Sequence, residues 1–311
     1  MECVHTHTEQ GRKNYDPTMT TALRNAFSND VKRRFNKLLR AIRVGVGKND
    51  CFGLKEKVHT LQVIPPAKGA FAYPLSQKKV TAFMKWLQTQ VDSGILTVRD
   101  MEQVGTSVNA VWTNLYISDS YKRGVMRART ELIKAGYKVP PIEDTGGIEA
   151  SMNTPFHLDR VGLAFIRTFS ELKGITESMD SIISRILAQG IADGDGPVLL
   201  ARKLVAAING EGIGDLGLRD TLGRYISPIR RAEMMARTEI LRSFHSANIQ
   251  ELRNWGVLGL KVKGEWKTAG DLRVCDICES LDGQIFSLDE IEGMIPVHPN
   301  CRCIALPYIE N

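Results

Sequence analysis

The 311-residue chain has no apolar run of about eighteen residues, so no membrane-spanning helix is expected from it. Its first stretch, Met1 to Thr21, is polar and rich in His and Thr, and lacks the apolar centre of a secretory signal. That absence predicts synthesis in a cytoplasm. The common catalytic signatures are missing as well. There is no G-x-x-x-x-G-K-[ST] phosphate loop, no G-x-S-x-G elbow, no H-E-x-x-H helix and no dinucleotide fingerprint after a strand. Gly210 to Gly217 is glycine-rich but lacks the Lys and Ser/Thr that a phosphate cradle needs, and reads as a loop. These absences predict a protein that is not an enzyme.

Cysteine is sparse, yet four of the six lie in one short stretch near the C-terminus. Cys275 and Cys278 are followed by His298, Cys301 and Cys303, in the pattern C-x2-C-x19-H-x2-C-x-C. A cytoplasm keeps thiols reduced, so clustered cysteines point to a metal rather than to disulfides. Cys3 and Cys51 are distant and read as bystanders. Zinc takes four soft or borderline ligands in a tetrahedron, commonly as two close pairs. Cys275 and Cys278 make one pair. His298 with Cys301, or with Cys303, makes the other. Cys301 repeats the spacing of the first pair, and in an extended segment Cys301 and Cys303 point the same way, so either can close the site. Five candidate ligands argue for a closed, structural Zn2+ that folds a module whose own core is small.

The pattern does not match a zinc deaminase, because no proline precedes Cys275 and no H-x-E lies upstream. Asp271, Asp276 and Asp282 lie near enough to serve as general bases, although such residues more often cap turns. The alternative function they would support is a zinc-dependent nucleic-acid-processing enzyme.

Charge is unevenly placed. Between Thr21 and Lys48 the bases are Arg24, Lys32, Arg33, Arg34, Lys37, Arg40, Arg43 and Lys48, against the single acid Asp30. From Asp271 onward acids dominate. A cationic helix can meet nucleic acid or an acidic protein surface, or be only a solvated face. Lys32, Arg33, Arg34, Lys37 and Arg40 are the candidate nucleic-acid contacts.

Hydrophobic periodicity is helical over most of the chain. Leu23, Phe27, Val31, Phe35, Leu38 and Ile42 form one stripe, which Gly45 and Gly47 should end. Further helices are expected from Ser76, from Thr106 to Ala135, over 157–172, over 175–190, from Pro197 to Asn209 and from Pro228 to Trp255. Leu258, Leu260 and Val262 alternate with Gly and Lys, as in a half-buried strand, and a last apolar stretch runs from Ile304 to Tyr308. The expected fold is mainly α, with long helices in the N-terminal and central regions and a small α+β zinc-stabilised module at the C-terminus. The expected organisation is a disordered tail over 1–20, a helical region over 21–139, a linker over 140–156 and a domain over 157–311 with the module at 257–308. Ala128-Arg129-Thr130-Glu131 and Ala236-Arg237-Thr238-Glu239 echo each other, but four residues do not make a repeat.

Taken in order, several of these residues carry a resemblance. They are Ala236-Arg237-Thr238-Glu239, Asn248, Gly256, Trp266-Lys267-Thr268-Ala269-Gly270-Asp271, Cys275-x2-Cys278, Leu281-Asp282-Gly283 and His298-Pro299-Asn300-Cys301-Arg302-Cys303. This order resembles the phage minor head proteins of the Mu F type, the head morphogenesis family, over about residues 155–308. The resemblance implies a structural minor capsid protein of a tailed phage, present in the virion at the capsid interior or portal vertex after synthesis in the host cytoplasm. It implies the portal protein and other head proteins as partners, with genomic DNA a further partner in packaging or ejection, and no membrane. Within this frame Arg237 or Glu239 would pair with Asp271 or Arg302, tying helix to module, and Trp266 would be a core aromatic beside the cluster.

Overall fold

The computed structural model describes residues 16–55, 76–97, 111–210, 218–220, 223–257 and 261–309. The expected disordered tail lies almost wholly outside them, as do the first residues of the expected third helix and the alternating Leu258 and Leu260. Among the described residues the chain is mainly helical, with one three-stranded sheet close to the C-terminus. It divides into two compact units, each assembled from separate stretches of sequence. One unit comprises Met1–Asn25, Tyr116–Ala164 and Arg237–Asn311. The other comprises Ala26–Leu115 and Phe165–Ala236.

The second unit is helical. Helix α1 (Thr21–Ile42) buries Phe27, Val31, Phe35, Leu38, Leu39 and Ile42, the stripe visible in the sequence. The glycines do not end it. The chain continues from Arg43 to Lys48 as a π-helical turn, whose wider pitch is satisfied by the Asn49 amide donating to the Val44 carbonyl at 2.8 Å. Helix α2 (Ser76–Gly94) presents Phe83, Leu87 and Val91, and Phe83 stacks at a tilt between Phe52 and Trp86. The remaining buried side chains include Met179, Ile183 and Leu187, from helix α5 (Pro155–Ala192), and Leu200 and Leu204, from helix α6 (Pro197–Asn209). The two helices expected over 157–190 are one continuous helix. Gly174 has open space around it and a single glycine is tolerated inside a helix, so the chain is not broken there. Pro197 sits at the start of α6, where its missing N–H costs nothing.

The first unit packs helix α3 (Trp112–Lys134) against helix α7 (Pro228–Val257). Their approach at Gly124 is close enough that an added Cβ would lie 2.2 Å from the Phe244 carbonyl oxygen and 2.7 Å from Ala247 Cβ. Two buried hydroxyls cross the same seam. Ser120 donates to the Ile240 carbonyl at 2.6 Å and Ser243 to the Ile117 carbonyl at 3.1 Å. Beside it lies a buried polar network. Arg129 donates to Glu251 at 3.0 Å, Trp255 Nε1 donates to the same carboxylate oxygen at 2.9 Å, and His157 bridges Glu251 to the Tyr121 hydroxyl. Charges this deeply buried are kept only with partners of this kind. Within the stretch expected as a linker lie a 3-10 turn at Ile142–Thr145 and helix α4 (Gly147–Met152).

The C-terminal part of this unit holds strand β1 (Val262–Lys267), helix α8 (Asp276–Leu281), strand β2 (Ile285–Phe286), helix α9 (Leu288–Glu292) and strand β3 (Ile304–Ile309). The sheet order is β2-β1-β3, all antiparallel, with Gly264 opposite Phe286 on one side and Pro307 on the other. Gly264 is needed there because a Cβ would fall 2.9 Å from Ile291 Cγ2 of α9. Ser287 and Glu290 form a capping box that starts α9. Trp266 is fully buried in the core that also contains Cys278, Cys301 and Cys303.

Candidate metal centre

Three short pieces of backbone deliver the five candidate ligands. Cys275 is the N-cap of α8, and its sulfur accepts the Cys278 amide at 3.5 Å, which sets both thiols on one side of a tight turn. His298 begins a second turn, closed by the Cys301 amide donating to the His298 carbonyl at 3.2 Å. Asn300 makes that turn with φ of 61°, a left-handed conformation that Asn tolerates better than most residues. Cys303 follows immediately before β3.

The side chains converge. His298 Nε2 lies 3.2 Å from Cys275 Sγ and 3.1 Å from Cys278 Sγ, and Cys278 Sγ lies 4.0 Å from Cys301 Sγ. Cys275, Cys278 and His298 form one group of mutually close ligand atoms, and Cys278, Cys301 and Cys303 form a second that shares Cys278. Two sulfurs on one tetrahedral zinc would stand roughly 3.8 Å apart, given bonds of about 2.3 Å. The donor set therefore suits a soft or borderline divalent cation.

The imidazole is oriented for this. His298 Nδ1 is 2.9 Å from the Pro299 carbonyl, which can only accept, so Nδ1 carries a proton and Nε2 is the nitrogen that faces the sulfurs. Burial works to lower the His298 pKa, but the Pro299 carbonyl and the Cys301 and Cys275 sulfurs outweigh it and hold it above the usual value. The thiols are uneven. The Cys278 amide draws Cys275 down. Burial, with the Cys301 sulfur beside it, pushes Cys278 up to about 12. Hydrogen bonding from Cys303 favours the thiolate at Cys301, and Cys303 is raised in return.

Three further contacts support these turns. Arg24, near the start of α1, reaches the Cys301 carbonyl at 3.3 Å while also binding Asp16 at 2.6 Å. Thr238 of α7 accepts the Asn300 amide at 3.3 Å. Arg302 and Asp271 pair across the mouth of the clasp. The expected link from Arg237 or Glu239 to Asp271 or Arg302 is thus replaced. Asp271 and Arg302 satisfy each other, Glu239 pairs with Arg242 one helical turn away, and α7 is tied to the module through Thr238, through His245 at the Ile291 carbonyl and through Arg253 at Asp289 and Glu292. Thr130, in the first of the two echoing segments, donates instead to its own helix at the Met126 carbonyl, so the two segments do different jobs. Nothing in the sequence distinguished Arg24 from its cationic neighbours. Its contact with Cys301 spans 277 positions.

The five candidate nucleic-acid residues lie on α1 in the other unit, and are not alike. Arg33 and Arg34 pair with Asp30, and Lys32 lies 3.6 Å from Glu233. Arg34 is also half-buried over the Trp112 ring at 3.9 Å and donates to the Gly94 carbonyl at 2.7 Å. Lys37 and Arg40 are exposed and have no ionic partner among the described residues.

A small thiolate-and-imidazole knob, built on a three-stranded sheet behind a long helix, is the class of module that this part of the chain defines. Residues 181–306 match the family model described as Phage Mu protein F like protein, and over that span the chain is similar to that family. The span takes in α6, α7 and the whole ligand cluster. It supports the resemblance drawn from the ordered motifs. No curated protein and no solved structure matches the chain. No helix among the described residues is long and apolar enough to cross a membrane.

Proposed function

We propose that this chain is a structural minor head protein of a tailed phage, carried in the virion and associated with the portal protein and other head proteins. The observation that carries this reading is the Mu F-like match over residues 181–306. In the same reading Cys275, Cys278, His298 and one of Cys301 and Cys303 hold a structural Zn2+. The separations between their ligand atoms support it. The zinc would neutralise the crowded thiolates and staple α8 to the turn before β3. Genomic DNA is a further partner, met through exposed cations of the α1 region.

Two observations count against the alternative of a zinc-dependent nucleic-acid-processing enzyme. Asp271 is held by Arg302 and Arg273, and Asp282 accepts the Thr268 amide at 2.8 Å and faces Lys267. Neither carboxylate is left free to act as a general base.

The test is chemical cross-linking with mass spectrometry on purified particles. Cross-links between this chain and the portal ring, at a copy number far below that of the major shell protein, are expected. A chain absent from mature and precursor particles alike, or cross-linked only to tail components, would overturn the reading.

A further inference from the structure

We propose that a cleft between the π-turn after α1 and helix α6 is a binding site for the phosphates of a nucleic-acid strand. The proposal rests on the reading of DNA as a partner, and moves the contact away from Lys32, Arg33 and Arg34.

The cleft has a volume of about 640 Å³. Its lining includes Arg43 and Lys48 from the π-turn, Arg202 and Asn209 from α6, and the apolar Ala201 and Val205. Arg43 and Lys48 are five residues apart. In an α-helix, with about 3.6 residues per turn, that spacing would send them to different sides. In the π-turn the Asn49 amide bonds back five residues to the Val44 carbonyl, so a five-residue step comes nearer to a full turn and both cations reach the cleft. Gly47 lets the turn approach α6 closely, since a Cβ there would stand 3.1 Å from Ala201 Cβ. The π-turn and its glycines thus produce both the cleft and its paired cations.

The charges are uncompensated. Arg43, Lys48 and Arg202 are exposed and have no ionic partner among the described residues, unlike Lys32, Arg33 and Arg34. No acid is among the described residues that line the cleft. Three cations beside a low-dielectric floor concentrate a positive potential there, and the Asn209 amide adds donors. The polymer is favoured over a small phosphate because the cations do not stop at the cleft. Lys37 and Arg40 precede Arg43 at steps of three and are also exposed and without an ionic partner among the described residues, so a strand lying along α1 reaches all of them. Among the described residues the lining contains no aromatic ring to stack a base, so the contact would read the backbone and not the sequence.

The experiment is fluorescence anisotropy of the full chain with a labelled mixed-sequence DNA duplex and the matching single strand, at two salt concentrations. The triple variant Arg43→Gln/Lys48→Gln/Arg202→Gln should bind at least about tenfold more weakly at low salt, and its slope of log affinity against log salt should fall by about three. The control Lys32→Gln/Arg33→Gln should stay within about twofold of the parent. These side chains are exposed, so circular dichroism melts of the triple variant should match the parent. DNA binding that the triple variant retains in full overturns the cleft and leaves the DNA reading standing. A parent chain that binds neither DNA at low salt ends both. A mononucleotide that displaces the DNA at low micromolar concentration reassigns the cleft to a small phosphate ligand. A polyglutamate peptide that binds as tightly as DNA and depends on the same three residues reassigns it to an acidic protein.

Discussion

Asp271 and Arg302 meet as a fork, with Arg302 Nη1 2.6 Å from one carboxylate oxygen of Asp271 and Nη2 2.5 Å from the other. Asp271 precedes the first cysteine pair and Arg302 separates the last two cysteines, so this contact ties the two halves of the clasp together. Arg302 holds the Asp271 carboxyl well below the usual carboxylate range. The pair's contribution is therefore complete above the ordinary carboxylate pKa, and is lost only as the pH falls through that lower folded value.

Arg302→Lys keeps the charge but cannot make the fork. It should lower the unfolding free energy by about 1–2 kcal/mol at pH 7, read by urea denaturation with saturating zinc. A variant as stable as the parent would show that the pair is only a surface contact.

Elemental analysis of the purified chain should find about one zinc per molecule, since four protein ligands close one site. Chelation should raise hydrogen exchange across β1, α8 and β3 and leave α2 and α6 unchanged. Cys275→Ser and Cys278→Ser should each lose the metal. Of Cys301→Ser and Cys303→Ser only one should do so, and that one identifies the fourth ligand. Uniform exchange in both conditions would remove the structural role of the metal.

At the crossing of α3 and α7, Gly124→Ala places a methyl group 2.2 Å from a backbone oxygen, and a backbone cannot step aside as a flexible side chain can. The helices must move apart, and the two Ser-to-carbonyl bonds beside the crossing stretch with them. A loss of roughly 2–3 kcal/mol is expected by thermal or urea unfolding. Gly174→Ala, in open space within α5, is the control and should be neutral or slightly stabilising.

His245 of α7 is buried and neutral. Burial pushes its pKa down to about 4, although Nε2 donates to the Ile291 carbonyl at 2.9 Å and Glu292 lies near. Its folded pKa lies below its unfolded one, so the unfolded chain takes up more protons. Stability should therefore be complete above about pH 6.5 and fall progressively toward pH 4, by up to about 3 kcal/mol. His245→Asn should flatten the slope of unfolding free energy against pH in that window. An unchanged slope would assign the acid sensitivity to other groups.

The legible parts of the fold follow from short-range periodicity. The α1 stripe from Phe27 to Ile42, the start of α6 at Pro197 and the long helix from Pro228 all lie where the pattern put them. The π-turn was not legible, because Gly45 and Gly47 read as helix stops and only contact with α6 gives that turn a reason to continue. The single helix through 155–192 was not legible either, because a lone glycine reads the same in a break and in an open helix face. In the candidate metal centre the five candidate ligands stood out by spacing, but their supports did not. Arg24, Thr238 and the Asp271–Arg302 fork are each set by packing between distant stretches.

By itself the sequence determined which residues carry chemistry. Thiols and an imidazole at knuckle spacing are local facts of the chain, as is the order of motifs that links it to the Mu F-like proteins. The tertiary structure decided which of those residues are free to act. Arg24 became a buried brace, Arg34 a lid on Trp112, and Arg43, Lys48 and Arg202 exposed charges lining a cleft. The reason is physical. A side chain's chemistry is fixed by its own atoms, while its partners and burial are fixed by neighbours that can lie hundreds of residues away.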